Sequence, residues 1–149
     1  MSPKHGPALT VLNPEPPSGD RQDGSPLFLE PISAGFPSPA EDYVQDFLDL
    51  QRLVVKNQAA TFFLRVSGDS MGGAGISDGD LLVVDRSRPA ASGSIVIASL
   101  DGELTVKRLR RRDGGIFLVP ENDNYSEINI TEQEGAMVWG VVTYVVHKL

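Results

Sequence analysis

The sequence contains no cysteine, which excludes disulfides, thiolate metal sites and a cysteine nucleophile. Histidine is almost missing: His5 lies in a proline-rich start and His147 near the end. Neither a histidine metal cluster nor a Ser-His-Asp triad is therefore expected, and no metal or other cofactor is implied. Long apolar runs are lacking too. Stretches such as "LLVV" at 81–84 fall far short of the roughly 20 residues that span a bilayer, so no membrane association is expected. The start "MSPKHGPALTVLN" has prolines where a signal peptide needs an apolar stretch, which makes the cytoplasm the expected location. Positive charge is the scarcer sign, 13 Lys and Arg against 20 Asp and Glu. The resulting net charge of -7 would be repelled by a polyanion, so strong autonomous DNA binding is not expected.

What remains is a chain of 149 residues, 40% hydrophobic and 22% charged, enough for one domain with a real core. Nine of the eleven prolines fall within residues 1–39. Such a segment buries too little apolar surface to offset its ordering entropy, and residues 1 to about 26 are expected to form a mobile arm. Apolar residues return in "PLFLEPISAGF" at 26–36, a segment suited to docking. In "SPAEDYVQDFLDL" at 38–50, Ser38, Pro39 and Glu41 make a helix-start pattern. Val44, Phe47 and Leu48 then share one helical face, so one short amphipathic helix is expected there.

From residue 53 the period changes. Short runs rich in branched and aromatic residues occupy 53–66, 80–86, 94–100, 103–109, 116–120, 127–131 and 136–146, separated by Gly, Asp and Asn. The pattern predicts a mainly β domain, a small twisted sheet or partly closed barrel. Asp101-Gly102 is the dipeptide of a tight primed turn, joining 94–100 to 103–109 as a hairpin. The stripe Val138, Trp139, Val141, Val142, Tyr144, Val145 and Val146 reads as core.

Between the first two strand runs lies "SGDSMGGAGISDGD", residues 67–80. Taken alone it is a solvated loop of turn-forming residues. Lys107, in "ELTVKRL", alternates onto the face of Thr105 and Leu109. A strand lysine is usually an exposed edge residue. If its amine is buried instead, the ammonium form is disfavoured and the pKa falls, and a neutral amine can take a serine proton.

The combination "GDSM", "GISDGD" and "SIVIASLDGELTVKRL" resembles the LexA-type self-cleaving serine peptidases, particularly their UmuD-like branch. The resemblance covers about residues 26–147. It implies Ser70 as nucleophile, Lys107 as general base, and a cut at Ala34-Gly35, so that residues 1–34 are a removable arm and 35–149 the peptidase and dimerisation domain. Ile32 could anchor the cut segment as an added strand. The Ser70 amide and a neighbouring loop amide, with Gly68 and Met71 as candidates, would face the oxyanion, and the glycines would give access. Two departures bear on rate: "GGAG" at 72–75 follows the methionine, and alanine precedes the cut. The family's partners are implied too: a homodimer, with the 138–146 stripe also supplying a dimer-forming surface, a RecA filament on single-stranded DNA that stimulates cutting, and a Y-family translesion polymerase that takes up the shortened form in the SOS response. A LexA-type repressor would need a DNA-binding helix-turn-helix, which about 34 proline-rich residues cannot build. A binding module that keeps the fold without cutting is the other alternative. The cluster Lys107, Arg108, Arg110, Arg111 and Arg112 reads, for its arginines, as a solvated hairpin end.

Overall fold

The computed structural model describes residues 10–12, 24–28, 33–35 and 44–149. In chain order the elements are β1 (Thr10–Leu12), β2 (Ser25–Phe28), β3 (Val44–Leu48), α1 (Leu50–Val54), β4 (Thr61–Arg65), β5 (Leu81–Asp85), β6 (Ile95–Leu100), β7 (Glu103–Arg112), β8 (Gly115–Val119), β9 (Ile128–Asn129) and β10 (Ala136–Val146). By packing the chain divides into two units, residues 15–56 and residues 1–14 with 57–149.

The larger unit holds one antiparallel sheet in the order β1-β4-β5-β10-β6-β7-β8-β9, with β1 and β9 at its ends. It is an open sheet, not a closed barrel. The two hairpins around β7 follow from their turn residues. Asp101 and Gly102 take φ of 51° and 85°, and Asp113 and Gly114 take 52° and 72°, the left-handed conformations that primed turns require and that Asp and Gly tolerate best.

Apolar side chains from both sheet faces are covered. Leu64, Leu82, Val84, Ile97 and Val106 pack in one cluster with Val66, Met71 and Ile76 of the connecting segment. Val96, Ala98, Leu109, Leu118, Ile130 and Val141 pack in a second. Each fully buried Leu, Ile or Val contributes roughly 1.5–3 kcal/mol. Met71 and Ile76, 1% and 2% exposed, pin both ends of the glycine-rich stretch between β4 and β5, which is therefore not a free solvated loop.

Two expectations are corrected. Residues 44–48 are not helical: Val44–Leu48 pairs antiparallel with Ser25–Phe28. The helix is one short turn further on, at Leu50–Val54, where Asp49 caps it by accepting from the Arg52 N–H at 3.3 Å. The helical periodicity of Val44, Phe47 and Leu48 was outweighed by a non-local strand partner, which periodicity cannot see; Phe47 is 54% exposed. Ser38, Pro39 and Glu41 lie outside the described residues. The run from residue 53 yields only Thr61–Arg65 as strand, since a single 3-10 turn at Gln58–Ala60 precedes it. Within the span of the expected arm, Thr10, Val11 and Leu12 pair with Arg65, Leu64 and Phe63, because the outer edge of β4 offers unpaired backbone groups. No described helix is long and apolar enough to cross a membrane.

Candidate active site

Strand β7 runs between β6 and β8, but β8 ends early. Val96 lies opposite Lys107 on the β6 side, whereas on the other side the pairing stops at Arg108 with Val119. Pro120, which has no N–H to extend a ladder, follows. Lys107 is thus interior to the sheet, not at its edge, and stands where one neighbouring strand has peeled away.

The serine loop fills that gap. The Glu121 N–H donates to the Ser70 carbonyl at 2.8 Å, and the Gly73 N–H donates to the Glu121 carbonyl at 2.8 Å. Gly73 is required for this approach, since a Cβ there would lie 2.7 Å from the Glu121 oxygen. The neighbouring segment adds two contacts to Asp69: Asn122 Nδ2 donates to its carbonyl at 3.0 Å and the Tyr125 hydroxyl to its carboxylate at 2.8 Å. The Asp69 carboxylate, held by this bond, raises the Tyr125 phenol above its ordinary value. Asp69 therefore fixes the loop through its contacts with the 122–125 segment.

Ser70 and Lys107 meet. Lys107 Nζ is 3.0 Å from Ser70 Oγ, and the lysine is 2% and the serine 1% exposed. Nζ also donates to Thr105 Oγ1 at 3.2 Å and to the Val106 carbonyl at 3.1 Å. Among the described residues no carboxylate forms an ion pair with it, so burial acts alone and pushes the ammonium down from 10.5 to about 8. The three contacts also orient the neutral amine. A carbonyl can only accept, and the Thr105 hydroxyl is free to accept, so the two remaining N–H groups are taken by Val106 and Thr105. The lone pair is left facing the Ser70 hydroxyl.

The backbone around the serine supplies donors. Among the described residues the N–H groups of Asp69, Ser70 and Met71 have no acceptor, whereas the Gly72 N–H is given to the Asp69 carbonyl at 3.1 Å. Gly68 is placed differently. Its φ of 100° makes the bend before the serine, and its N–H is committed to Asp78 Oδ1 at 2.7 Å. Gly68 shapes the loop and does not offer a free donor.

Ala34 and Gly35 are exposed in a bend of the smaller unit, where the Gly35 N–H donates to Ser33 Oγ at 3.1 Å. Ile32 lies outside the described residues. Of the basic cluster, Arg110 and Arg111 are exposed, but two arginines are not simply solvated. Arg108 pairs with Glu121 and donates to the Gly93 carbonyl at 2.7 Å; Arg112 pairs with Glu127 and lies over the Phe117 ring. Sequence reasoning missed the roles of Thr105 and of the 121–125 brace. Thr105, two residues before the lysine on one strand face, could have been found from alternation; Glu121, Asn122 and Tyr125, some 50 residues from the serine, carry no local signal. Among the described residues no group of three His, Asp or Glu side chains converges as a metal site.

The chain matches the Peptidase S24-like family over residues 26–143. It is 49% identical over 135 residues to Protein ImpA of Salmonella typhimurium, covering 91% of this chain and 92% of that one. Protein MucA of Escherichia coli is 46% identical over 131 residues, 87% of this chain and 89% of its own. The LexA repressor of Frankia alni is 41% identical over 136 residues, 89% of this chain but 52% of the repressor. A buried serine-lysine pair in a glycine-rich loop and adjoining strand, on a sequence this similar to ImpA and LexA throughout, makes the chain a member of the S24-like peptidase family.

Proposed function

We propose that the protein is a self-cleaving serine peptidase that cuts its own Ala34-Gly35 bond. The observation that carries this reading is the 3.0 Å contact between Lys107 Nζ and Ser70 Oγ, made by two buried side chains. With the bond docked, the Ser70 oxygen attacks the Ala34 carbonyl carbon while its proton passes to the Lys107 amine. The oxyanion accepts from the Ser70 amide and from one of its neighbours, Asp69 or Met71. The carbon–nitrogen bond then breaks and Lys107 returns the proton to the Gly35 nitrogen. Water, giving its proton to the same amine, hydrolyses the Ala34 ester and frees Ser70.

The relatives extend the proposal. A chain with the proportions of ImpA and MucA fits the UmuD-like role: a cytoplasmic homodimer, cut under stimulation by a RecA filament on single-stranded DNA. Its shortened form would serve a Y-family translesion polymerase in the DNA-damage response. The exposed end of β10, with Tyr144, Val145 and Val146, suits the dimer contact. The test is incubation of the purified full chain at alkaline pH, with mass analysis of the products. Fragments 1–34 and 35–149 are expected from the wild type and neither from Ser70→Ala or Lys107→Met; an intact wild type, with and without activated recombinase, refutes the reading.

A further inference from the structure

The serine loop and the lysine strand are separate pieces of chain, and the 3.0 Å between their reacting atoms needs something to hold it. The lysine side is fixed by the sheet. On the serine side, beside the buried Met71 and the Asn122 and Tyr125 contacts to Asp69, residue 121 binds the loop twice through its backbone, at the Ser70 carbonyl and at the Gly73 N–H, each at 2.8 Å. Residue 121 itself lies beyond the end of β8 and beyond Pro120, where no ladder positions it. Its side chain supplies the missing anchor: Glu121 Oε1 accepts from Arg108 Nε, and Arg108 is the residue after Lys107 on β7. Arg108 is in turn held by the Gly93 carbonyl at 2.7 Å. The pair is partly shielded, its side chains 21% and 30% exposed, so solvent competes with it less than with a surface ion pair.

We infer that the Arg108–Glu121 pair is a positioning tie for the reaction, setting the height of Ser70 over Lys107 by locking the Glu121 backbone to the lysine strand. The inference rests on the peptidase reading above. Neither side chain touches the reacting atoms; both act through the loop. The tie also gives the guanidinium a role that the arginine run does not reveal. One peptide bond connects it to Lys107, and one hydrogen bond connects its partner to Ser70.

The experiment compares full-length wild type, Glu121→Gln, Glu121→Ala and Arg108→Met in self-cleavage across pH 6–11. Folding is checked by thermal melting. Glu121→Gln keeps an oxygen for Arg108 Nε and is expected within about threefold of wild type. Glu121→Ala frees the backbone and is expected to cut about 10- to 100-fold more slowly, the scale set by misplacing reacting groups by about 1 Å. Arg108→Met should match it. In each the midpoint of the pH profile stays where the wild type has it, because the burial of Lys107 is unchanged. Two results overturn the inference: a folded Glu121→Ala or Arg108→Met that cuts at the wild-type rate, or a slowed variant whose loss is a moved midpoint with an unchanged plateau. Should Glu121→Ala not fold, Arg108→Met and Glu121→Gln decide by the same criteria. A wild type that does not cut at all refutes the peptidase reading instead, and is told apart in the same cleavage assay.

Discussion

If Lys107 is the base, the cleavage rate follows the fraction of its amine that is neutral, and the structure fixes that fraction. Burial brings the group from 10.5 to about 8. By simple titration the neutral share is about 9% at pH 7, half at pH 8 and about 91% at pH 9. Self-cleavage of the wild-type chain should therefore rise roughly tenfold from pH 7 to 9 and then level off. A lysine titrating at its ordinary value would behave differently, climbing about a hundredfold over the same two pH units and continuing upward beyond pH 10. The assay is the first-order loss of full-length chain at fixed ionic strength across pH 6–11, with Ser70→Ala as the blank. The same depression has a sign for stability. Below pH 8 the lysine is charged in both states, and the buried cation costs the fold about 3 kcal/mol. Between pH 8 and 10.5 the unfolded chain binds more protons than the folded one, so the cost is relieved as pH rises. Relative to Lys107→Met, the Ser70→Ala chain should gain stability across that window in urea unfolding. A rate still climbing tenfold per pH unit at pH 10, or a stability difference that stays flat from 8 to 10.5, would refute the buried-base argument.

Thr105→Val removes the hydroxyl that takes one N–H of the amine, and cleavage measured on the alkaline plateau should fall by about 10- to 100-fold, while Thr105→Ser retains most of it. Gly73→Ala forces a Cβ to within 2.7 Å of the Glu121 carbonyl, so this single methyl should destabilise the fold by roughly 1–3 kcal/mol, read from denaturant midpoints, and slow cleavage by breaking the brace; a variant as stable and active as wild type contradicts the described contact.

The β character and the Asp101-Gly102 hairpin turn are legible in the sequence, for identifiable reasons. Short runs of branched and aromatic residues bounded by Gly, Asp and Asn mark β5 to β8, because strands buried on both faces read as continuous apolar runs. Asp101-Gly102 marks its turn because few other residues tolerate positive φ. Ser70 and Lys107 came from a motif resemblance, not from periodicity. The helix expected over 38–50 failed at 44–48 because the deciding partner, Ser25–Phe28, is distant in the chain.

By itself the sequence determined the inventory: a chain without thiols and nearly without imidazoles, in which any serine chemistry would need a base other than histidine, and strand segments whose turns only one hand of backbone can make. Only the tertiary structure decided that β8 stops one residue short of Lys107 and that the serine loop enters the gap. It alone decided that Thr105, Val106 and Ser70 surround one nitrogen. The physical reason is that a lysine's basicity depends on what excludes water from it. That exclusion is made by segments tens of residues away, brought together only when both faces of the sheet are covered.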